Sequence, residues 1–475
     1  MYDVIVIGAG VSGAFVCRNL SRYNLSILCI ESKNDVGDVT SMANSAIVHS
    51  GYDPKPGSLK AKFNVKGNAM YPQICKELDV SFKQVGSMTL AFSKENVETL
   101  KQLKERAKEN GVEAILLNKE ETLKLEKNVS TNVMGSLLCK SAGIINPFTL
   151  VAHCFENAID NGVKLQLNET VIDIKSNADC FIIKTNKNEY KAKVVINCAG
   201  LYADKIASMV EDISWSINPR KGEYFVLDHF GAGLVNHVLF PLPSEKGKGV
   251  LVTMTTSSNY LVGPSSEFNE DKEDTSTDAL TLLDVKNNAL KMVPNIPFFE
   301  QIRTFSGVRA TPSTHDFIIG PSLKNTHFIN VAGIESPGLA SSPAIGEYVV
   351  EELVLPLFHP RKNVSFNPCI KPYIKPNALS IKERNDLIAK NSDYGQIICN
   401  CEKISLGEIK DVLSRSLPCL SVKAIKKRTR AGFGKCQGGF CQPMVLFLLS
   451  KYNKISPLDV VYDGLNSNIL KQESK

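Results

Sequence analysis

Residues 2–32, YDVIVIGAGVSGAFVCRNLSRYNLSILCIES, pass through strand, tight turn, helix and strand within one short stretch. Asp3 to Ile7 is a β-branched run, Ala14 to Leu20 has helical character, and Leu25 to Ile30 is a second strand ending in Glu31. Between the first strand and the helix, Gly8, Gly10 and Gly13 keep the G-x-G-x-x-G spacing. The first glycine permits the turn, the second lets the backbone approach a pyrophosphate, and the third allows close strand–helix contact. The helix amino terminus then faces the anion. Glu31, eighteen positions after Gly13, is placed to bind ribose hydroxyls. A glycine turn in an unliganded α/β domain is the bland alternative, but the complete unit points to a dinucleotide site.

Outward from this unit, a length of 475 residues exceeds what one core usually supports, so two or three domains are expected. With 43% hydrophobic and 22% charged residues the composition is that of an ordinary soluble globular protein. A formal charge of +6, with lysines and acids interspersed, leaves no nucleic-acid footprint. No apolar run reaches ~18 residues, which argues against a direct membrane span. The first residues already form a strand rather than a signal peptide, so a cytoplasmic location is expected.

The block after the second strand, VGDVTSMANSAIVHSGYDPKPGSLKAKFNVKG (36–67), is rich in glycine and small polar residues. It suits a backbone wrapped around a large, fixed cofactor better than one releasing a nicotinamide. AKVVINCAGLYAD (192–204) is a strand ending in Ala199-Gly200, and THFINVAGIESPGLASSPAIGEYVVEEL (326–353) gives strand, small-residue turn and helix. The amino terminus of that helix would direct a positive dipole at an electron-rich group.

On these four ordered motifs the chain resembles the FAD-dependent oxidoreductases of the D-amino-acid oxidase and glycerol-3-phosphate dehydrogenase superfamily. SAIVHSGYDPKPGSLKAK (45–62) is especially similar to the L-2-hydroxyglutarate dehydrogenase branch. The resemblance covers roughly residues 1–355. It implies an α/β fold: a doubly wound FAD-binding domain (about 1–75, 140–205 and 301–355) interleaved with an antiparallel substrate domain (about 76–139 and 206–300). It also implies that Gly8, Gly10, Gly13 and Glu31 bind the adenosine–pyrophosphate half of FAD. Thr40, Ser41, Val171, Ala199, Gly200, Gly333, Gly338 and Leu339 would line the rest.

In the middle of the chain, SKENVETLKQLKERAKENG (93–111) is charged and helical in period, a solvated surface helix. VLVTMTTSSNYLVG (250–263) alternates as antiparallel strands do. Three places offer chemistry. His49 in VHSG lies beside the expected flavin. Oxidising an alcohol needs a base for the hydroxyl proton, and an imidazole titrates in the right range; a hydrogen bond to the flavin or backbone is its other use. NPRKGEYF offers Arg220 and Lys221 at a strand entrance, with Lys221 a candidate anion anchor or simply solvated. Arg309 follows Gly307, and its likeness to the superfamily's G-V-R-A turn implies an anchor for a substrate oxyanion, which a guanidinium fork suits. These are the catalytic candidates: His49, Arg309 and Lys221.

Residues 355–379 are proline-punctuated, so a linker or wrapping segment is expected over 356–392 and a small domain over 393–475. Ser405 and Glu408 form a capping box there. Of thirteen cysteines, nine are scattered and suit inert core thiols. Cys399, Cys401, Cys436 and Cys441 are grouped as C-x-C, 34 intervening residues, and C-x4-C. Four thiolates can hold zinc or a 2Fe–2S cluster. Both pairs lack the C-x2-C bite of zinc knuckles, and Gly432, Gly434, Gly438 and Gly439 free backbone amides to approach an anion. The basic run KKRTR (426–430) would offset that charge or be merely solvated.

This tail resembles the bacterioferritin-associated-ferredoxin-like 2Fe–2S domain, particularly as fused to the large subunit of anaerobic glycerol-3-phosphate dehydrogenases. The resemblance implies a cluster held by Cys399, Cys401, Cys436 and Cys441. Taken together, the halves imply a dehydrogenase that oxidises sn-glycerol 3-phosphate to dihydroxyacetone phosphate. Electrons would leave through the cluster to a partner flavoprotein or a quinone-linked subunit. An L-2-hydroxyglutarate or other 2-hydroxy-acid dehydrogenase, a non-catalytic flavin and iron–sulfur carrier, and a zinc-stabilised flavin oxidase are the alternatives.

Overall fold

The apolar run at the amino terminus becomes a strand buried on both faces, with Val4, Ile5 and Val6 fully sequestered. The structure is a computed structural model that describes residues 1–177, 179–229, 233–243 and 249–473. Along the chain, the strands that decide the layout are Tyr2–Ile7 (β1), Ile27–Ile30 (β2), Glu189–Asn197 (β3), Ile217–Leu227 (β4), Gln301–Pro312 (β5) and Phe328–Ala332 (β6). The helices that matter most are Val11–Leu20 (α1), Gly338–Tyr348 (α2), Val422–Thr429 (α3) and Gln442–Asn453 (α4).

β1 pairs in parallel with β2 on one side and β3 on the other, and the end of β3 pairs in parallel with β6. Their carboxyl ends therefore lie side by side, the edge where α/β sheets bind ligands. Helix α1, the helices Leu59–Glu77 and Pro147–Asp160, and α2 cover one face. Gly67 and Gly346 let the helices close up: a Cβ on Gly67 would stand 2.1 Å from the Ala340 carbonyl oxygen. An antiparallel meander of Val171–Ser176, Phe181–Thr185 and the first half of β3 covers the other face, with helix Ala203–Ser208.

A second sheet of nine strands is built around β4. β4 and β5 pair antiparallel from Ile217↔Pro312 to Leu227↔Gln301. The sheet departs from the antiparallel expectation at one place, where Val238–Phe240 runs parallel to Ser87–Ala91. Those strands belong to separate excursions from the first sheet, so no hairpin imposes opposite directions. Sheet membership also departs from the division at residue 301. β5 belongs to the second sheet, and the chain rejoins the first only at Ile318–Pro321. Helix Lys94–Glu109 lies on the surface, burying Leu100, Leu103 and Ala107 as a single stripe.

The segment after residue 355 wraps the helical layer on the first sheet. Pro368 accepts a hydrogen bond from Arg18 at 3.0 Å, Asn367 one from Asn157 at 2.9 Å, and Tyr373 donates to Glu156 at 2.7 Å. It is not irregular throughout: Ile381–Lys390 forms a helix behind a capping box of Ser380 and Glu383. The S-x-x-E signal for that helix stands in the sequence. The last domain packs a two-stranded ribbon, the Ser405-capped helix Leu406–Leu413, α3 and α4 around Ile409, Ile425 and Leu449.

Within the basic run 426–430, Lys427 and Arg428 are neither solvated nor turned to the cysteines. Arg428 reaches Asp35 at 2.6 and 3.0 Å, and Lys427 reaches Asp35 at 2.7 Å and Asp38 at 2.8 Å. Arg428 and Asp35 are each only 2% exposed. Burial alone would raise the Asp35 carboxyl, but Arg428 and Lys427 overcome this and hold it down at about 2. No helix among the described residues is long and apolar enough to cross a membrane.

Removing one partner of a buried pair leaves an uncompensated charge at a cost of about 3–5 kcal/mol. Arg428→Met is expected to lower stability by about that much in urea unfolding, and to expose segment 356–392 to limited proteolysis. An unfolded aspartate titrates near ~4. The stabilisation from Asp35 is therefore complete above about pH 4 and is lost as the pH falls towards 2. Denaturation midpoints measured against pH should show that loss in the native protein and not in Asp35→Asn.

Candidate functional site

The glycine turn is stereochemically required. Gly8 has φ +101°, and a Cβ there would lie 2.5 Å from the Cys198 carbonyl oxygen. A Cβ on Gly13 would lie 2.0 Å from the Gly8 oxygen. Helix α1 begins at Gly10 without a side-chain cap, and Val11 donates its N–H to Ser41 Oγ at 2.9 Å. The rest of that first turn of N–H groups faces a cavity, an arrangement suited to a pyrophosphate. Glu31 sits beneath the turn, accepting from the N–H of Ala9 at 2.7 Å and of Lys33 at 2.8 Å. These features fit FAD.

The cavity at the carboxyl edge of the first sheet measures about 350 Å3 and runs between the two sheets. Of the residues expected at the cofactor, Gly10, Thr40, Ser41, Gly200, Gly338 and Leu339 line it. Thr40 donates to the Val308 carbonyl at 2.7 Å, which ties the cofactor loop to β5. Gly338 opens α2, so the amino terminus of that helix meets the cavity. Ala199 and Gly333 lie in the turns after β3 and β6. Val171 lies outside this cavity, buried at the start of a meander strand. Two residues earlier, the Glu169 N–H donates to the Glu31 carbonyl at 2.9 Å, so Val171 is near the Glu31 end.

His49 and Arg309 line the cavity and Lys221 does not. Successive side chains on a strand point to opposite faces. Lys221 turns away to Asp274 at 2.8 Å, while Arg220 and Tyr224, one and three positions off, face inward. Of the two cations at this strand entrance, Arg220 and not Lys221 therefore faces the cavity. Arg220 stands directly across the strand pair from Arg309. Arg309 lies over Gly222, where a Cβ would come within 2.4 Å of its Nη2, and donates to the Ser265 carbonyl at 2.9 Å. Tyr224 stacks on Phe305 with ring centroids 4.7 Å apart, and its hydroxyl meets Ser45 Oγ at 2.9 Å. Burial raises that phenol, so it remains a neutral group. Asn64 and Asn68 donate to the His49 carbonyl at 2.6 and 3.1 Å, which fixes the peptide carrying the imidazole. Lys60 is held by Glu335 at 2.8 Å on the cavity wall.

Tyr224, Ser45, Lys60 and Gly222 carried no sequence signal of their own. Only the i, i+4 relation of Arg220 and Tyr224 on a strand, once its inward face is known, would have found the tyrosine.

In the last domain the four cysteines come as two pairs. Cys401 and Cys436 stand 3.6 Å apart, sulfur to sulfur, and the Cys399 and Cys441 thiols are hydrogen-bonded neighbours. Among the described residues, no three Cys, His, Asp or Glu side chains converge on one metal position. Two dithiol pairs suit two irons better than one tetrahedral zinc. Cys441, and after it the backbone N–H groups of Gly432, Glu402 and Cys401, hold the Cys399 thiol down to about 5 despite burial. Gly432 and Gly438 have φ of +90° and +97°, and a Cβ on Gly434 would lie 2.3 Å from Cys401 Cβ. The loop therefore closes tightly on the sulfurs, as an anionic cluster needs. Arg430 reaches Asn259 at 2.9 Å, and Lys435 reaches Glu300 at 3.0 Å. Both ties run from the cysteine loop to the second sheet.

Residues 3–352 match the FAD dependent oxidoreductase family, and residues 397–451 match the BFD-like [2Fe-2S] binding domain. A glycerol 3-phosphate dehydrogenase of Caloramator mitchellensis is 44% identical over 100% of this chain and 99% of its own length. A glycerol 3-phosphate oxidase of Mycoplasma genitalium is 35% identical over 77% of this chain and 97% of its own. The FAD-bound L-alpha-glycerophosphate oxidase of Mycoplasma pneumoniae superposes with a TM-score of 0.75 at 30% identity, covering 78% of this chain and 99% of that one.

Isolated anaerobically, the protein is expected to carry ~2 iron atoms per chain. Cys436→Ser should lose most of the iron by metal analysis while keeping its flavin absorbance. Unchanged iron content in that variant would contradict the ligand set.

The motifs, the cavity and similarity along the whole chain converge: this protein belongs to the FAD-dependent oxidoreductase family and carries a BFD-like [2Fe-2S] binding domain at its carboxyl end.

Proposed function

We propose that the chain oxidises sn-glycerol 3-phosphate to dihydroxyacetone phosphate and passes the electrons through its carboxyl-terminal domain to a partner flavoprotein or quinone-linked subunit. The observation that carries this is the pairing of Arg220 with Arg309 across two strands, both at the wall of the flavin cavity. Like charges directly opposite one another on a sheet repel. A phosphate dianion offsets both guanidiniums, whereas a zwitterionic amino acid offers one carboxylate for the two. The names of the relatives similar over most of this chain agree with a phosphorylated polyol.

When bound, FAD accepts two electrons as a hydride, and a 2Fe–2S cluster accepts one electron at a time. The remaining work falls to side chains. Arg309 and Arg220 hold the phosphate and fix which carbon faces the flavin side of the cavity. His49, its backbone clamped by Asn64 and Asn68, takes the proton of the C2 hydroxyl. Tyr224 and Phe305 form a stacked wall that restricts water. Cys399, Cys401, Cys436 and Cys441 would hold the cluster, which would supply one-electron transfer, and Cys401 is the exposed member of the four. The enzyme works in the cytosol and approaches a membrane only through its partner.

Anaerobic addition of glycerol 3-phosphate should bleach the flavin bands, with kcat/KM at least 100-fold above that for L-2-hydroxyglutarate. Bleaching by the hydroxy acid alone would overturn the assignment. Arg309→Gln and Arg220→Gln should each raise KM for the phosphate ester by about 10²-fold, a loss of about 2.7 kcal/mol.

His49→Asn should lower kcat by about 10²–10³-fold with KM little changed. Lys221→Met, a change outside the cavity, should leave both constants within about twofold. Stopped-flow flavin reduction measures each effect.

A further inference from the structure

A second cavity, of about 700 Å3, lies beyond the flavin wall, between the cofactor loop, the second sheet and the last domain. Ala43, Asn44, Ala46 and Gly307 line both cavities and so form the partition between them. The partition is tight: a Cβ on Gly307 would come within 2.1 Å of the Ala43 carbonyl oxygen. Most cations lining the larger cavity are matched, Lys427 by Asp35 and Asp38, Arg430 by Glu402, and Lys272 by Asp204. Two are not.

Lys426 is 5% exposed, and among the described residues no carboxylate lies within ion-pairing distance of it. Its ammonium meets Gln437 Oε1 at 3.3 Å and lies over the Phe433 ring at 4.8 Å. Arg303 has one weak contact, from its Nε to the Thr304 carbonyl at 3.5 Å. Across β4–β5 from Glu223, and so on the other face of β5 from Arg303, the Ser306 hydroxyl is buried without a hydrogen-bond partner among the described residues. An uncompensated buried cation is costly, and an orphaned hydroxyl is rare. An ammonium and a guanidinium lining the same cavity suit an oxyanion. The volume is that of a cavity for a small organic molecule rather than for a bare ion.

We propose that this cavity is a second ligand site, which takes the phosphate group of a small phosphorylated molecule between Lys426 and Arg303. The ligand lies against the cofactor loop on one side and the cysteine domain on the other. The site does not depend on the substrate assigned above.

Equilibrium dialysis of the full-length, FAD- and iron-loaded protein against labelled inorganic phosphate tests it. Two sites per chain are expected in the wild type. Arg309→Gln should abolish one, and Lys426→Gln and Arg303→Gln should each weaken the other at least tenfold. A single site that Arg309→Gln alone abolishes overturns the second site and leaves the substrate assignment standing. A single site lost only in Lys426→Gln and Arg303→Gln supports it and counts against Arg309 as the phosphate anchor. If Lys426 serves only to neutralise the cluster, its variant changes iron content and not phosphate binding, and the proposal falls. Arg303 belongs to β5 rather than to the cysteine domain, so its variant keeps the test decisive should Lys426→Gln lose iron.

Discussion

Asp35 and Asp38, a few residues past the second strand of the nucleotide unit, close on Lys427 and Arg428 of the last domain in a cluster almost free of water. Burying four charges is costly unless every one is paired. Here Arg428 is bidentate to Asp35 and also donates to the Ala424 carbonyl at 3.0 Å, while Lys427 bridges both acids and reaches the Val36 carbonyl at 3.2 Å. Such a cluster tolerates little sliding, because a small displacement would leave a buried charge alone. An apolar contact of the same size would tolerate it. The cysteine domain is therefore held in one pose against the FAD-binding layer, which is what electron transfer between two fixed cofactors requires.

The second constraint is the strand pair β4–β5. β5 carries Arg309 and Gly307, packs on the cofactor loop through Gly307, and pairs along its length with β4, which carries Arg220 and Tyr224. One antiparallel ladder thereby presents two guanidiniums and a phenol to a cavity whose other wall is the carboxyl edge of a parallel sheet. The same ladder reaches towards the cysteine loop, since Asn259, on the turn before β4's partner strand Tyr260–Gly263, binds Arg430.

Much of this was legible beforehand, and particular residues show why. Gly8, Gly10, Gly13 and Glu31 announce themselves because a glycine turn and an acid at the end of the next strand are local stereochemistry. Cys399, Cys401, Cys436 and Cys441 stand out because their spacing departs from the other nine. Lys221 and Arg220 are not distinguished by sequence because which residues of a strand face inward depends on what packs against it. The helix Ile381–Lys390 is legible, since Ser380 and Glu383 mark its start. The basic run at 426–430 looked like a charge offset or a solvated patch because its partners lie nearly four hundred residues upstream.

By itself the sequence determined the nucleotide-binding unit and the grouping of four thiols, while the interleaved plan and the cluster were implied by resemblance to known families. The unit is written in short-range periodicity and in turns that only glycine can make, the thiols in their spacing. Tertiary structure alone decided that Arg220 faces Arg309, that Tyr224 and Ser45 meet, and that Lys427 and Arg428 grip Asp35 and Asp38. Those encounters join residues far apart in the chain, and burial, strand register and charge pairing across packed layers select them; no local pattern encodes such choices.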